Sequence, residues 1–148
     1  MSYSNTKQIG GSHYRTNPDG VQHWDYCVAQ NVPYLEAAST KYLIRWRKKN
    51  GLQDLEKALH YTQKRLESVR AGVGILRGAR RNQPLFKELL RSNEVPLNES
   101  IIIDTIMHWR NEDHLTAAIS DIRAMIAEAK QLCLFEGDAT AAYVNQDR

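Results

Sequence analysis

Cysteine is scarce in this chain. Its 148 residues include only Cys27 and Cys133, and neither belongs to a CxxC pair or to a Cys/His spacing that would bind zinc. This argues against a disulfide scaffold and against a zinc-binding module. The two thiols are expected to stay reduced, which favours a reducing compartment, the cytoplasm.

Long apolar runs are also missing. No segment approaches the ~20 apolar residues that a membrane-spanning helix needs. The first residues, MSYSNTKQIGG, lack the apolar region of a signal peptide. We therefore expect no membrane association, and the ordinary apolar and charged fractions favour a globular protein.

The common sequence motifs of nucleotide-binding and metal enzymes are absent. The chain has no GxxxxGK[ST] P-loop and no HExxH zinc motif. Gly72, Gly74 and Gly78 do not follow a predicted strand, so they do not form a dinucleotide-binding fingerprint. Any phosphate chemistry must use another arrangement of residues.

Helical periodicity dominates what is present. Apolar spacing and stop signals predict an all-α fold, with helices over 21–30, 33–49, 52–66, 83–90, 99–110 and 113–132. Asn50 and Gly51 tolerate the left-handed conformation and separate the second helix from the third. So few residues lie between these two helices that they should fold as an antiparallel αα-hairpin. Residues 100–104 fit a helix or a strand by periodicity alone.

The chain divides into three segments of different character. Residues 1–70 hold an N-terminal loop and a basic helical hairpin, and residues 71–96 a basic linker with a short helix. Residues 97–148 hold a second helical hairpin and a loose tail. The last segment is expected to fold with the first as one domain, which makes the whole a compact helical bundle.

A shift of 63 residues aligns the two hairpins. It pairs Trp46 with Trp109, each followed by Arg and a short polar turn, but it pairs Lys41 with Asp104. Either the second hairpin is a degenerate copy that keeps the scaffold and lacks the charges, or the match arises by chance.

Positive charge is concentrated in one part of the chain. Residues 41–91 contain fourteen Lys and Arg against four Asp and Glu, although the net charge of the whole chain is only +3. A segregated positive surface attracts phosphate groups. The alternative is a basic face that only keeps the protein in solution.

The first hairpin arranges part of this charge at regular spacing. Lys41 and Arg45 are four residues apart and share one helix face. Asp54, Lys57 and Tyr61 share a face of the following helix. A tight antiparallel turn would bring the two faces around one cleft, where the cations can bind two or three phosphates.

Two further cations near the turn belong to the same pattern, and Asp54 has several possible roles beside them. Lys48 and Lys49 follow one turn after Arg45 and extend the basic surface. Asp54 either orients Lys41 or Arg45, accepts a hydrogen bond from a sugar hydroxyl, or holds a metal ion. The alternative is that Asp54 only forms surface ion pairs, which contribute little.

A second candidate region is the N-terminal loop. Ser12 and His13 can bond phosphate oxygens, and Tyr14 can stack on a base or pack on the hairpin. His23 lies near the start of the first predicted helix and can line the same cleft, although a single histidine there is more often structural.

The order of these blocks resembles a small phage-encoded family. The resemblance covers about residues 11–67 and rests on Ser12-His13-Tyr14, Lys41-Tyr42-x-x-Arg45-x-x-Lys48-Lys49 and Asp54-Leu55-x-Lys57-Ala58-x-x-Tyr61. The family is a domain of unknown function often labelled nucleotide kinase, and it includes a deoxynucleoside monophosphate kinase without a P-loop. The resemblance implies a nucleotide-binding protein in the cytoplasm of an infected host cell.

The activity implied by the resemblance is transfer of phosphate from ATP to a deoxynucleoside monophosphate. The residues expected to be catalytic are Lys41, Arg45, Asp54, Lys57 and His13. The residues expected to bind substrate are Ser12, Tyr14, Tyr42, Lys48, Lys49 and Tyr61. ATP would be the phosphate donor, no metal ligand is assigned, and a need for Mg²⁺ stays open.

Other functions compete with this one. A protein that sequesters a host signalling nucleotide without catalysis would use the same cations, and the scarcity of carboxylates near the cleft favours it. An all-α nucleoside triphosphate pyrophosphatase ranks last because it needs clustered acidic metal ligands. Polynucleotide binding is disfavoured because the aromatic residues are not interleaved as on a stacking platform. Self-association into a homo-oligomer is expected.

Overall fold

Helices make up most of the part that the computed structural model describes, which is residues 3–7, 9, 11, 19–74 and 81–136. A 3₁₀ turn at Trp46–Lys48 follows the third helix, and no strand occurs in these ranges. The all-α prediction is confirmed. The helices are α1 Tyr3–Thr6, α2 His23–Gln30, α3 Tyr34–Arg45, α4 Leu52–Arg70, α5 Gln83–Ser92, α6 Leu97–Met107 and α7 Glu112–Glu136.

Local signals explain most helix boundaries. Gly51 separates α3 and its 3₁₀ turn from α4 with a φ of 54°, a conformation that glycine adopts without steric cost. Pro96, with its ring-fixed φ of −62°, precedes α6, which begins at Leu97 and thus two residues before the predicted start. Segment 100–104, which periodicity left ambiguous, belongs to α6, and Ile102 and Ile103 lie on the helix face that is buried in the core.

Helices α3 and α4 form the predicted antiparallel hairpin. Glu36 at the start of α3 binds Arg65 near the end of α4. Arg45 at the end of α3 binds Asp54 at the start of α4. Between these ion pairs the Ser39 hydroxyl donates to the carbonyl of Ala58 at 3.0 Å, so polar contacts join the helices along their whole length.

The two hairpins pack into a four-helix bundle. Helix α7 lies along α4, and α6 contacts both α3 and α7. Helices α2 and α5 contact each other and cover the bundle with the buried side chains of Tyr26, Phe86 and Leu89. One apolar core therefore contains residues from both halves of the chain, including Leu43, Leu55, Ile103 and Ile122. Among the described helices, none combines the length and apolarity that crossing a bilayer requires.

The turns before the two hairpins are built alike. Asn31 and Glu94, which are 63 residues apart, adopt left-handed φ values of 52° and 53°. Pro33 and Pro96 then precede α3 and α6 with the same φ of −62°. Two non-glycine residues in the left-handed region at equivalent places are unusual. The 63-residue match is therefore a repeat of structure, and it includes the helix before each hairpin.

The repeated hairpins bind each other through equivalent residues. The indole Nε1 of Trp46 donates to Glu99 at 3.4 Å, and that of Trp109 donates to Glu36 at 2.9 Å. Both glutamates are almost fully buried, and they too are 63 residues apart. These reciprocal bonds relate the hairpins by an approximate two-fold arrangement and satisfy buried polar groups that would otherwise destabilise the core.

Candidate functional site

Six of the residues predicted from the first hairpin meet on one side of it. Lys41, Tyr42 and Arg45 lie within one turn of α3, and the two cations lie over the Tyr42 ring. Asp54 and Lys57 face them from the first turns of α4. We call the group the hairpin cluster: Lys41, Tyr42, Arg45, Asp54, Lys57 and Tyr61.

An ion pair between Arg45 and Asp54 anchors the cluster. The guanidinium donates through Nε to Oδ2 at 2.9 Å and through a terminal nitrogen to Oδ1 at 3.1 Å. Asp54 is fully buried, and Lys57 Nζ lies 3.9 Å from its Oδ1. The fork of two bonds fixes the plane of the guanidinium. Of the roles predicted for Asp54, the structure shows the one in which it orients Arg45.

Three cations surround the ring of Tyr42. Lys41 Nζ lies 4.5 Å from the ring centroid, the Arg45 guanidinium carbon 4.7 Å, and Lys57 Nζ 5.3 Å. The electron-rich face of the ring attracts each of them. Within the described part of the cluster, Asp54 is the single carboxylate that faces these three cations, so positive charge exceeds negative charge there. An anion beside Tyr42 would relieve the repulsion among these cations.

A row of tyrosines extends from the cations toward solvent. Tyr61 stacks on Tyr42 with the ring centroids 5.8 Å apart and the planes inclined by 19°. Tyr34 meets Tyr61 edge to face at 6.1 Å, and a hydrogen bond with Tyr34 raises the pKa of Tyr61 above its usual value. Tyr34 itself is 73% exposed, so an aromatic surface is open beside the cations.

Tyr34 was not among the residues predicted from the sequence. It stands seven residues before Lys41 and eight before Tyr42, which places all three on one face of α3. That spacing was a usable signal. The contact with Tyr61, however, depends on how α4 packs against α3.

The remaining predicted residues either lie away from the cluster or fall outside the residues that the structure describes. Lys48, in the 3₁₀ turn, pairs with Glu94 at 3.8 Å, and Lys49 lies in the turn that joins α3 to α4. The N-terminal candidates Ser12, His13 and Tyr14 lie outside the described residues. Within the described ranges, no group of three or more His, Cys, Asp or Glu side chains is arranged to hold a metal ion.

His23 lies behind the cluster in the core rather than at a surface. Its Nε2 is 2.9 Å from the Thr40 hydroxyl, and its side chain also contacts the Cys27 sulfur at 3.5 Å. Burial lowers the pKa of His23 to about 4, and the charge of Lys41 contributes to this shift. Burial also raises the pKa of Cys27 to about 12. The structural interpretation of His23 therefore fits its surroundings.

His23 makes the stability of the fold depend on pH. Its pKa is about 4 when folded against an ordinary value of 6.5, so the unfolded state binds the extra proton between these values. Its stabilising contribution, about 3 kcal/mol, should be complete above pH 6.5, decline as the pH falls, and be lost below pH 4. Urea unfolding of the wild type and of His23→Gln across this range checks it. A wild type no more acid-sensitive than the variant would contradict it.

The second hairpin carries different chemistry at the corresponding place. Asp104, the equivalent of Lys41, binds the Arg81 guanidinium and His108 Nδ1 at 2.6 Å. His108 Nε2 in turn contacts the Tyr26 hydroxyl at 3.1 Å, and burial raises the pKa of Tyr26 to about 12. The inner end of this chain of contacts is buried, because Tyr26 has no exposed surface, whereas Arg81 and Asp104 at the outer end are partly exposed. The excess of cations around a ring belongs to the first hairpin.

Comparisons with models of known protein families, with curated proteins and with solved structures find no match to this chain. What the protein binds must therefore be inferred from the chemistry of the hairpin cluster.

Proposed function

We propose that the protein binds a nucleotide at the hairpin cluster and transfers a phosphoryl group from ATP to a deoxynucleoside monophosphate. The observation that carries the proposal is the set of three cations around Tyr42, balanced by a single carboxylate. Among the described residues the three cations outnumber the one carboxylate of the cluster, and a surplus of positive charge at a partly exposed site attracts an anion such as a phosphate.

The cluster offers separate surfaces for the two ends of a nucleotide. Lys41 and Lys57 are mobile point charges for phosphate oxygens, whereas the Arg45 guanidinium is a positive charge held in place by Asp54. Tyr61 and the exposed Tyr34 continue from the cations and provide aromatic faces for a base. The order of cations followed by aromatics fits a nucleotide better than it fits inorganic phosphate.

Phosphoryl transfer asks little covalent chemistry of the protein. An oxygen of the acceptor phosphate attacks the γ-phosphorus of ATP, the bond to the bridging oxygen breaks, and ADP leaves with that electron pair. Catalysis consists of holding the two phosphates in line and stabilising the negative charge on the transferred group. In the proposal Lys41, Arg45 and Lys57 supply that stabilisation, and no step is assigned to His13.

One observation favours a non-catalytic variant of the proposal. Both oxygens of Asp54 are bound by Arg45, so this carboxylate does not offer a Mg²⁺ site while the ion pair is intact. A cluster that binds phosphates without a metal suits a protein that sequesters a nucleotide. The same residues serve both functions, and only the fate of the bound nucleotide differs.

Incubation with ATP and a mixture of deoxynucleoside monophosphates tests the proposal. Chromatography with mass detection should reveal new diphosphates, and Lys41→Ala should reduce their formation by about 10- to 100-fold, the value of a charged hydrogen bond. Lys87→Ala, an exposed change on α5 away from the cluster, should leave the rate unchanged.

The outcomes separate the alternatives. Unchanged nucleotides together with one species released from the wild type on denaturation, but not from Lys41→Ala, would establish sequestration. Full turnover by a folded Lys41→Ala variant would remove the cluster from the mechanism. Neither product nor bound nucleotide would contradict both functions.

A further inference from the structure

A concave surface lies between α4 and α7, on a different side of α4 from the hairpin cluster. It has a volume of about 470 Å³, which falls within the range of small-molecule sites. At 100° per residue, Glu67 and Arg70 project from the side of α4 opposite to Asp54, Lys57 and Tyr61. This surface therefore cannot be an extension of the cluster. Its lining residues are Gln63, Leu66, Glu67, Arg70, Thr116, Ile119, Ser120 and Arg123.

The groove has an apolar floor and polar walls. Leu66 and Ile119 form the floor, and they belong to a second, smaller cluster of buried apolar residues that also contains Trp109 and Leu115. Thr116 and Ser120 stand on one wall, and their hydroxyls can donate or accept hydrogen bonds. Gln63 offers an amide from the other wall. This combination suits a ligand that has several hydroxyl groups and an apolar carbon surface.

An arginine stands at each end of the groove. Arg70 at the end of α4 pairs with Glu112 at the start of α7, so the two helices run antiparallel. Arg123 is therefore at the opposite end, beside Gln63. Seven residues separate Thr116 from Arg123, which makes the groove about 10 Å long. Arginine binds phosphate with two parallel hydrogen bonds, so two arginines at this separation suit a ligand with two phosphates.

Two acidic residues at the groove take part in exposed ion pairs. Glu67 pairs with Lys64 at 3.6 Å, and both side chains are exposed. Glu112 holds Arg70 at 2.7 Å in a pair that is also exposed, with 61% of the Arg70 side chain accessible. Exposed ion pairs contribute little to stability, so a phosphate can displace Glu112 from Arg70 at small cost.

We propose that the groove between α4 and α7 binds a small polyhydroxylated ligand with a phosphate at each end, a sugar bisphosphate in chemical class. Arg70 and Arg123 bind the two phosphates, Gln63, Thr116 and Ser120 bond the hydroxyls, and the carbon chain rests on Leu66 and Ile119. The proposal is independent of what the hairpin cluster binds.

The test uses fructose 1,6-bisphosphate as the probe in NMR titrations of the full chain, with fructose 6-phosphate and fructose as comparisons. Backbone amide shifts should cluster along α4 and α7, with affinity at least about tenfold higher for the bisphosphate than for the monophosphate. Arg70→Gln and Arg123→Gln should each remove that preference. Glu112→Gln should strengthen binding about threefold, because it frees Arg70 from its partner.

Two controls make the result decisive. Arg91→Gln removes a similarly exposed arginine, which pairs with Glu88 on α5, and should leave binding unchanged. Lys41→Ala disables the hairpin cluster and should also leave groove binding intact. Three results would overturn the proposal: no shifts at the groove, equal affinity for the bisphosphate and the monophosphate, or loss of binding in Lys41→Ala.

Discussion

Replacing Arg65 by methionine is expected to lower the free energy of unfolding by about 3 kcal/mol. Arg65 binds both oxygens of Glu36, and the Glu36 side chain has no exposed surface. Methionine keeps the length of the side chain but leaves a buried carboxylate whose remaining hydrogen-bond partner, among the residues that the structure describes, is the indole of Trp109. An uncompensated buried charge is among the costliest defects in a core.

The internal repeat provides a matched comparison for this variant. Arg47 binds Glu99, the residue equivalent to Glu36, but 48% of the Arg47 side chain is exposed. Glu99 is almost as buried as Glu36, but water can enter the half-exposed space that Arg47 leaves and bind the carboxylate, so Arg47→Met should cost less, about 1 kcal/mol. Adding Glu36→Gln to Arg65→Met removes the orphaned charge and should recover most of the loss. Urea unfolding followed by circular dichroism measures all three, and equal effects of Arg65→Met and Arg47→Met would contradict the role of burial.

Replacing Arg45 by methionine is expected to damage both the fold and the binding site. Asp54 is fully buried and, among the described residues, would keep Lys57 at 3.9 Å as its ion-pair partner. The expected loss is about 3 kcal/mol, which corresponds to a fall of about 10 °C in Tm for a chain of this size. Thermal unfolding by circular dichroism gives the magnitude.

Two further variants distinguish the geometry of this ion pair from its charge. Arg45→Lys keeps the positive charge but loses the two parallel hydrogen bonds, so its destabilisation should be intermediate. Lys48→Met removes a cation from an exposed pair with Glu94 and should change the stability by less than about 0.5 kcal/mol. Arg45→Met as stable as the wild type would show that Asp54 does not need its partner.

The predicted site and the observed hairpin cluster agree where helix periodicity applies. Lys41, Tyr42 and Arg45 share one face of α3 because three or four residues make one turn, and this holds whatever the helix packs against. The pairing of Arg45 with Asp54 could not be derived in the same way. Lys41 was an equally good partner by spacing, and the packing of α4 against α3 selected Arg45.

The internal repeat, too, was indicated by the sequence and established only by the structure. A shift of 63 residues could be read from matching tryptophans, but it could not be distinguished from chance. The reciprocal bonds of Trp46 with Glu99 and of Trp109 with Glu36 make it a property of the structure. Each bond joins residues more than fifty positions apart, so no local pattern contains it.

The sequence by itself determined the helical class, the approximate bounds of α2 to α7 and the first hairpin, but not α1, which lies in the segment predicted as a loop. Those features follow from apolar periodicity, from Pro33 and Pro96 before α3 and α6, and from Gly51 between the helices of the first hairpin, all of which act over a few residues. Only the tertiary structure decided that Asp54 and Glu36 are buried, and that α4 and α7 leave a groove between them. Burial and pairing depend on the simultaneous packing of helices distant in sequence, and spacing along one helix carries no information about that packing.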